Sequence, residues 1–204
     1  MSLYLRLFWT LLALTWRKPI TFLETSAINL RVWPNDLDVN LHVNNGRFLT
    51  LADLGVVTLS GRMGVFRAAL RNGWRPVVGA AVARYRRPLR PFQKYRLETR
   101  ILGWNEKWTF FQSQFIVKGE VKATVVTKGM FLGRQGRVPP LQVAALTGWT
   151  GESPALPEWV AHWEAADAAF ADAEGRRTLN SPMAAQVEGA PVSTPLRGAL
   201  EARG

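Results

Sequence analysis

The chain has 204 residues, of which 48% are apolar and 20% are charged. This composition is typical of a globular protein and excludes a wholly disordered or collagen-like chain. The chain contains no cysteine and only two histidines, His42 and His162. Disulfides, thiolate metal sites, cysteine nucleophiles and multi-histidine zinc sites are therefore excluded, and we expect no cofactor. Any chemistry depends on carboxylates, hydroxyls, amides and at most two imidazoles.

The positive charge is concentrated in the first two thirds of the chain. Residues 1–138 carry 22 Lys and Arg against 7 Asp and Glu, a net charge of +15, whereas residues 139–204 carry 4 and 8, a net charge of −4. A basic body favours an anionic partner, such as a nucleic acid, a phospholipid surface or a phosphate-bearing substrate, although a solvated arginine-rich surface has the same composition. We expect no nucleic-acid partner, because no basic stretch with interleaved aromatics forms a recognisable module.

Residues 3–16 (LYLRLFWTLLALTW) form an apolar segment that contains one charge, at Arg6. A membrane-spanning helix needs about 20 apolar residues, so this segment is too short to span a bilayer. Its two tryptophans, Arg6 and the following pair Arg17 and Lys18 suit a helix at the headgroup level of an anionic membrane. Packing on the domain or on a partner subunit explains the segment equally well. We expect a cytoplasmic protein, with peripheral membrane contact through residues 3–16 left open.

The remaining pattern predicts one long helix and a sheet. The helix covers about 46–60, where apolar residues recur every three or four positions, and Asn44 or Asn45 is its N-cap. Connections between the later strands are short, so the strands are antiparallel and the fold class is α+β. Further predicted elements are a strand within 20–33, a short helix at 63–71, and strands at 77–87, 95–104, 108–118 and 121–132.

These elements predict four consecutive regions. They are an apolar N-terminal helix in residues 1–19, a main domain in 20–138, an extension with an acidic docking helix in 139–179, and a disordered tail in 180–204. The acidic helix is expected to end near Gly175, which breaks the helical pattern.

The most informative segment is residues 36–45, DLDVNLHVNN, which precedes the long predicted helix. In an extended segment, Asp38, Asn40 and His42 point to the same side and present a carboxylate, an amide and an imidazole together. The helix start adds free N–H groups and the positive end of a dipole, which suit an oxyanion. With the carboxylate as nucleophile or general base, these groups form an acyl-transfer site. Alternatively, Asp38, Asn40 and Asn44 only turn and cap the backbone.

The string DLDVNLHVNN resembles the active-site motif of hot-dog-fold thioesterases and is especially similar to the D-x-N-x-H-V-N-N string of plant acyl-ACP thioesterases. The stretches ARYRRPLRP, TRILGWNEKW and LPEWVAHWEAADA resemble the 4-hydroxybenzoyl-CoA thioesterase-like group that includes thioesterase superfamily member 6. The resemblance implies a hot-dog fold, in which an antiparallel sheet wraps around a long central helix. It also implies a homodimer or homotetramer with the site at the junction between subunits.

The resemblance assigns roles to the matching positions. Asp38 matches the catalytic carboxylate, and Asn40 and His42 match an orienting amide and imidazole. Asn44 and Asn45 match the residues that lead into the helix, where the N–H groups near Asn45 and Gly46 would hold the oxyanion. This sequence departs from the plant enzymes in having no acid between Asp53 and Glu98, where they carry a further acidic residue.

Two further groups are candidates for substrate contact. Asp53 on the predicted helix is either a second acid that reaches the substrate or an ion-pair partner of an arginine. Arg84, Arg86 and Arg87, followed by Arg90, suit the phosphates of coenzyme A, because arginine binds phosphate in a bidentate manner; a polar strand face explains them equally well.

The sequence therefore predicts a hydrolase that cleaves acyl-CoA or acyl-carrier-protein thioesters and depends on Asp38. The alternative is a membrane-associated acyl-binding or scaffold protein that keeps the fold without turnover. A dehydratase built on the same fold is a third option.

Overall fold

A computed structural model describes residues 3–179 of the chain, with side chains through residue 174. Residues 1–157 belong to one compact unit, and a second unit begins at Glu158. The first unit contains the helices α1 Leu3–Ala13, α2 Asn45–Arg62, α3 Val65–Arg71 and α4 Pro140–Ala145, and the strands β1 Ser26–Arg31, β2 Arg75–Tyr85, β3 Lys94–Trp104, β4 Thr109–Val117, β5 Glu120–Gly133 and β6 Gly136–Val138. The helix α5 Glu158–Leu179 belongs to the second.

The six strands form one antiparallel sheet in the order β1-β3-β4-β5-β2, with β6 paired to β5. Short turns join β3, β4 and β5, which enforces antiparallel pairing as predicted. The turn between β4 and β5 uses Lys118 and Gly119 with φ of 50° and 80°, values that suit a two-residue hairpin turn. The strands β1 and β2 lie at the two ends of this order, so each pairs with one other strand among the described residues.

The helix α2 is the centre of the core and contacts each of the strands β1 to β5. Its buried face packs Phe48 and Leu51 against Leu97 of β3 and Phe115 of β4. This burial fits the three-to-four-residue spacing that predicted the helix, and the observed ends lie within two residues of the predicted ones. The helix therefore presents its N-terminus at one fixed end of the sheet.

A glycine allows α2 to approach the sheet closely. A Cβ atom at Gly55 would lie 2.2 Å from the hydroxyl oxygen of Thr99, closer than any real Cβ contact. The Thr99 hydroxyl is buried and satisfied by the hydroxyl of Ser113 at 3.0 Å. The tight contact therefore holds the helix at a defined height above the strands.

The first strand is shorter than predicted, because Thr21 to Glu24 form a turn. The Glu24 side chain accepts hydrogen bonds from the Thr21 N–H at 3.0 Å and from the Thr21 hydroxyl at 2.7 Å. These side-chain bonds compete with strand pairing, so β1 begins only at Ser26. The strand β6 and the helix α4 were not predicted.

The helix α1 packs on the domain, which was one of the two alternatives that the sequence left open, and Arg6 is not available to a membrane surface. Arg6 is only 2% exposed, and Leu3 and Leu7 pack against the main core cluster. The opposite side of the helix is exposed and apolar; it consists of Tyr4, Leu5, Phe8, Trp9 and Leu11. Membrane contact through this exposed side stays a prediction.

Within residues 3–179, no single helix has both the length and the hydropathy needed to cross a membrane. The helices α2 and α3 meet the length and hydropathy criteria only when they are taken together, and the chain bends by 80° at the break between them.

The acidic helix α5 was predicted and is present, but it continues to Leu179 and does not end near Gly175. The predicted disordered tail, residues 180–204, lies outside the described residues.

Candidate functional site

The segment that precedes α2 is a tight turn, and the extended geometry predicted for it is wrong. Leu37 and Val43 form an isolated antiparallel bridge, and the Asp38 N–H donates to the carbonyl oxygen of His42 at 2.8 Å. The chain reverses between them, with Leu41 at a φ of 55°. Asp38 and His42 therefore lie opposite each other, while Asn40 is exposed at the tip of the turn.

The side chain of Asp38 causes this reversal. Its Oδ1 accepts the Asn40 N–H at 2.8 Å and the His42 N–H at 3.4 Å. Such local bonds from an aspartate to the backbone stabilise turns and compete with strands. In the part of the chain that the structure describes, no hydrogen bond joins the side chains of Asp38, Asn40 and His42. The turn leaves the half-buried Asp38 with a second oxygen, Oδ2, that has no partner among residues 3–179.

The first turn of α2 follows directly. Of the two predicted N-cap candidates, Asn44 is the N-cap, and its side-chain oxygen accepts the Gly46 N–H at 2.9 Å. The Arg47 N–H donates to the carbonyl oxygen of Asn44, also at 2.9 Å. The N–H of Asn45 has no acceptor among the described residues. It is therefore the N–H of this turn that is open to a ligand, whereas Gly46 is already engaged.

Asp36 is a buried anchor whose role the sequence analysis missed. Its Oδ2 accepts hydrogen bonds from Arg6 Nη2 and from the Trp33 N–H, and its Oδ1 accepts from Arg47 Nη2 at 2.9 Å. Burial alone would raise the pKa of Asp36, but the hydrogen bonds from Arg6, Trp33 and Arg47 outweigh it and hold the pKa below its ordinary value. The available signal was Arg6 itself, since a lone charge in an apolar helix indicates a buried partner.

Asp53 lies elsewhere, in an apolar cavity of about 250 Å³ between α2 and the strands β2, β4 and β5. Asn45 and Asp53 are about 12 Å apart along the helix, at a rise of about 1.5 Å per residue. Asp53 is exposed in the single chain, yet desolvation by the surrounding atoms raises its pKa. Asp38 does not line this cavity. Its other lining residues are Val56, Val57, Ser60, Pro76, Val77, Val78, Thr109, Phe111, Thr127, Gly129, Met130 and Phe131.

The arginine run borders the site turn. The Tyr85 hydroxyl donates to the carbonyl oxygen of Asn45 at 3.0 Å, and the Val43 N–H donates to the carbonyl oxygen of Leu89 at 3.1 Å. The segment from Tyr85 to Leu89 therefore runs beside the turn and the helix start. Arg84, Arg86 and Arg87 are all exposed.

A second cavity of about 300 Å³ lies at this basic segment. It is lined by Arg87, Pro88, Arg90, Gln93 and Lys122. Glu120 pairs with Arg87 at 2.6 Å and with Lys122 at 2.5 Å, so one acid offsets part of the positive charge. No residue in the described part of the chain pairs with the guanidinium of Arg90. Among residues 3–179, no group of three or more acidic, histidine or cysteine side chains could hold a metal ion.

Comparison with known proteins agrees with this fold. Residues 32–163 match the thioesterase-like superfamily. The chain is 32% identical over 134 residues to Protein THEM6 of Xenopus laevis, a match that covers 65% of this chain and 63% of that protein. It is 34% identical over 118 residues to Protein THEM6 of Danio rerio, covering 57% and 58%. The chain thus spans less than two thirds of either relative.

Among solved structures, the gentisyl-coenzyme A thioesterase BH1999 superposes with a TM-score of 0.52 at 16% identity, covering 60% of this chain and 98% of that one. This likeness confirms the predicted hot-dog fold, in which a curved antiparallel sheet holds a central helix. The protein belongs to the thioesterase-like superfamily, because the family match covers well over half of the chain.

Proposed function

We propose that the protein hydrolyses acyl thioesters of coenzyme A or of an acyl carrier protein, with Asp38 as the acting carboxylate. The observation that carries this proposal is the free Oδ2 of the half-buried Asp38 in the turn that leads into α2. The chemistry follows from these groups. Asp38 removes a proton from water, the water oxygen attacks the thioester carbonyl carbon, and the C–S bond breaks to give a carboxylic acid and a thiol. Direct attack by Asp38, with water then hydrolysing the resulting anhydride, needs the same group.

The start of α2 supplies the oxyanion site. The Asn45 N–H has no acceptor within the described residues, and the helix dipole places partial positive charge at this end. His42 and Asn40 flank Asp38 in the turn, where they would orient water or the substrate. Asn44 acts indirectly, because its side chain caps the helix and fixes the direction of the Asn45 N–H.

The basic cavity suits the phosphates of coenzyme A. Arg87, Arg90 and Lys122 line it, and it adjoins Leu89, which is bonded to the site turn through Val43. Arginine forms two parallel hydrogen bonds to a phosphate, so Arg90 is the strongest candidate for this contact. The apolar cavity at Asp53 suits the acyl group. Asp53 is also the rival acid, because its raised pKa and apolar surroundings are typical of a functional carboxyl.

Free-thiol release from a panel of acyl-CoA esters tests the proposal. We expect Asp38→Asn to reduce turnover by about 10²-fold or more, because it removes the base or nucleophile. Asp53→Asn distinguishes the rival acid, and Glu106→Gln is the matched control, since Glu106 is an exposed acid in the turn before β4. Retained turnover in a folded Asp38→Asn protein would exclude Asp38 from the mechanism.

Assembly as a homodimer or homotetramer is part of the proposal. β2 is 11 residues long, no described residue pairs with its outer edge, and Val78 and Val82 on it are exposed. An exposed apolar edge strand is a template for pairing with another chain, and burying it requires a partner. A second copy of this chain is the partner we propose.

The second candidate is an acyl-binding or scaffold protein at a membrane surface, and the exposed apolar side of α1 favours it. Phe8 and Trp9 are more than half exposed there, and aromatic side chains partition to the lipid headgroup region. For both candidate functions we propose that the protein is cytoplasmic and contacts a membrane surface peripherally. Tight binding of acyl-CoA without thiol release would leave only this candidate, and an altered acyl chain without thiol release would indicate a dehydratase.

Sedimentation with anionic liposomes tests the membrane contact. We expect the double variant Phe8→Ser, Trp9→Ser to lose co-sedimentation, because it removes apolar area that enters the lipid. Phe170→Ser is the control, since Phe170 is an exposed aromatic of α5 outside this surface. Equal sedimentation of both variants would refute contact through α1.

A further inference from the structure

One charged side chain joins α1 to the site turn. Arg6 is 2% exposed, and its Nη2 donates to Oδ2 of Asp36, thirty residues further along the chain. Arg6 lies outside the region that matches the superfamily, which begins at residue 32. The contact therefore joins a residue outside the matched region to Asp36 inside it.

Asp36 joins three parts of the site. Its carboxylate accepts from Arg6 in α1, from the Trp33 N–H before the turn, and from Arg47 in the first turn of α2. Its carbonyl oxygen accepts the N–H of Asn44, the N-cap, at 2.8 Å. Asp36 is also two residues from Asp38. A displacement of its carboxylate would therefore move the turn and the helix start together.

Among the described residues, Asp36 is the only hydrogen-bond partner of the Arg6 side chain. Arg6 Nη1 is buried without a hydrogen-bond partner, and so is the hydroxyl of Tyr95. Arg6, Asp36 and Arg47 all act electrostatically on Tyr95, so its hydroxyl lies near the same cluster. A buried guanidinium with a single acidic partner is costly to leave unpaired, so its position and that of Asp36 are coupled.

We propose that Arg6 is a positioning residue, which acts through Asp36 to hold the turn at residues 36–44 in the geometry that presents Asp38 and the Asn45 N–H. This inference rests on the proposed function, since those two groups are the ones assigned to the reaction. In this proposal α1 contributes to the geometry of the site and does not only pack on the domain.

Hydrogen exchange of the whole 204-residue chain tests the positioning independently of activity. In Arg6→Met, which keeps the length of the side chain and removes its charge, we expect amide exchange of Asn40, His42 and Asn44 to rise about tenfold or more, while the core amides of β3 and β4 stay unchanged. Arg17→Met is the matched control. Arg17 lies just after the end of α1, and its Nη1 donates to the carbonyl oxygen of Ala27 in β1 and not to a residue of the turn.

Kinetics provide the second measurement. We expect Arg6→Met to lower kcat about tenfold or more with KM nearly unchanged. A misplaced catalytic group reduces the stabilisation of the transition state more than it reduces the affinity for the substrate. Arg6→Lys, which retains a positive charge, should restore part of kcat. Arg17→Met should behave as wild type in both measurements.

The outcomes separate this inference from the proposed function. A wild-type protein that releases no thiol would refute the proposed function, and the exchange comparison would still decide the role of Arg6. Unchanged exchange in Arg6→Met, a uniform increase throughout the sheet, or an equal increase in Arg17→Met would each overturn the positioning role.

Discussion

The hydroxyl of Tyr85, at the last residue of β2, donates a 3.0 Å hydrogen bond to the carbonyl oxygen of Asn45, the first residue of α2. The Tyr85 ring also packs against Phe48, with 5.3 Å between the ring centroids. The end of the edge strand is thereby joined to the start of the central helix. This bond holds the arginine run, the site turn and the Asn45 N–H in one neighbourhood.

Tyr85→Phe should show how much this hydrogen bond contributes to the free energy of unfolding. The ring packing is retained and one partly exposed hydrogen bond is lost, so we expect the free energy of unfolding to fall by about 0.5–1.5 kcal/mol. The urea midpoint should decrease with the m value unchanged. Tyr4→Phe is the control, because Tyr4 is exposed on α1. Equal midpoints for the two variants would mean that the bond contributes nothing measurable.

Acidification should destabilise the protein through Asp36. The folded pKa of Asp36 lies below its unfolded value of about 3.8, so the unfolded state takes up the proton first. Its contribution is fully present above the unfolded pKa and is lost as the pH falls through the folded pKa. Urea unfolding from pH 7 down to about pH 2 measures this loss. We expect Asp36→Asn to be less stable at neutral pH and to lose less stability on acidification; parallel pH profiles would contradict the assignment.

Arg90→Ala should weaken the recognition of coenzyme A specifically. Losing one charge-assisted contact to a phosphate is expected to raise KM for acyl-CoA about tenfold, since such bonds contribute roughly 1.5–3 kcal/mol. KM for a truncated thioester without phosphates should not change. Arg134→Ala, another exposed arginine, is the control. A similar rise in KM for both thioesters would place Arg90 outside the phosphate contact.

The edge of β2 should be the dimer contact. Two positive charges introduced by Val78→Lys, Val82→Lys would face their copies across the paired edges, so we expect a shift from dimer to monomer by light scattering. Leu141→Lys introduces a charge at an exposed apolar position of α4 and should leave the mass unchanged. A double variant that remains dimeric would show that another surface forms the dimer.

Much of the fold could be predicted from local pattern. The strand pattern of residues 95–104 and the helical spacing of 46–60 each place a strand or helix within about two residues of its observed ends, because both patterns reflect contact with the same core. The sequence offered a turn at residues 38–42 as one alternative, but local pattern could not choose it over an extended segment. Its polar residues alternate as in a strand, but the Asp38 side chain closes a hydrogen-bonded reversal in place of strand pairing.

The sequence by itself determined the order of the central helix and the strands β1 to β5, an N-cap at Asn44 or Asn45, and the superfamily, because these depend on neighbouring residues and on a contiguous motif. Only the tertiary structure decided that Arg6 is buried against Asp36, that Asp53 lies in an apolar cavity apart from Asp38, and that Tyr85 meets Asn45. The two hydrogen bonds join residues that are 30 and 40 positions apart, whereas Asp38 and Asp53 are closer in sequence but lie at different places in the fold. Non-local packing decides both cases. No periodicity along the chain encodes such a choice.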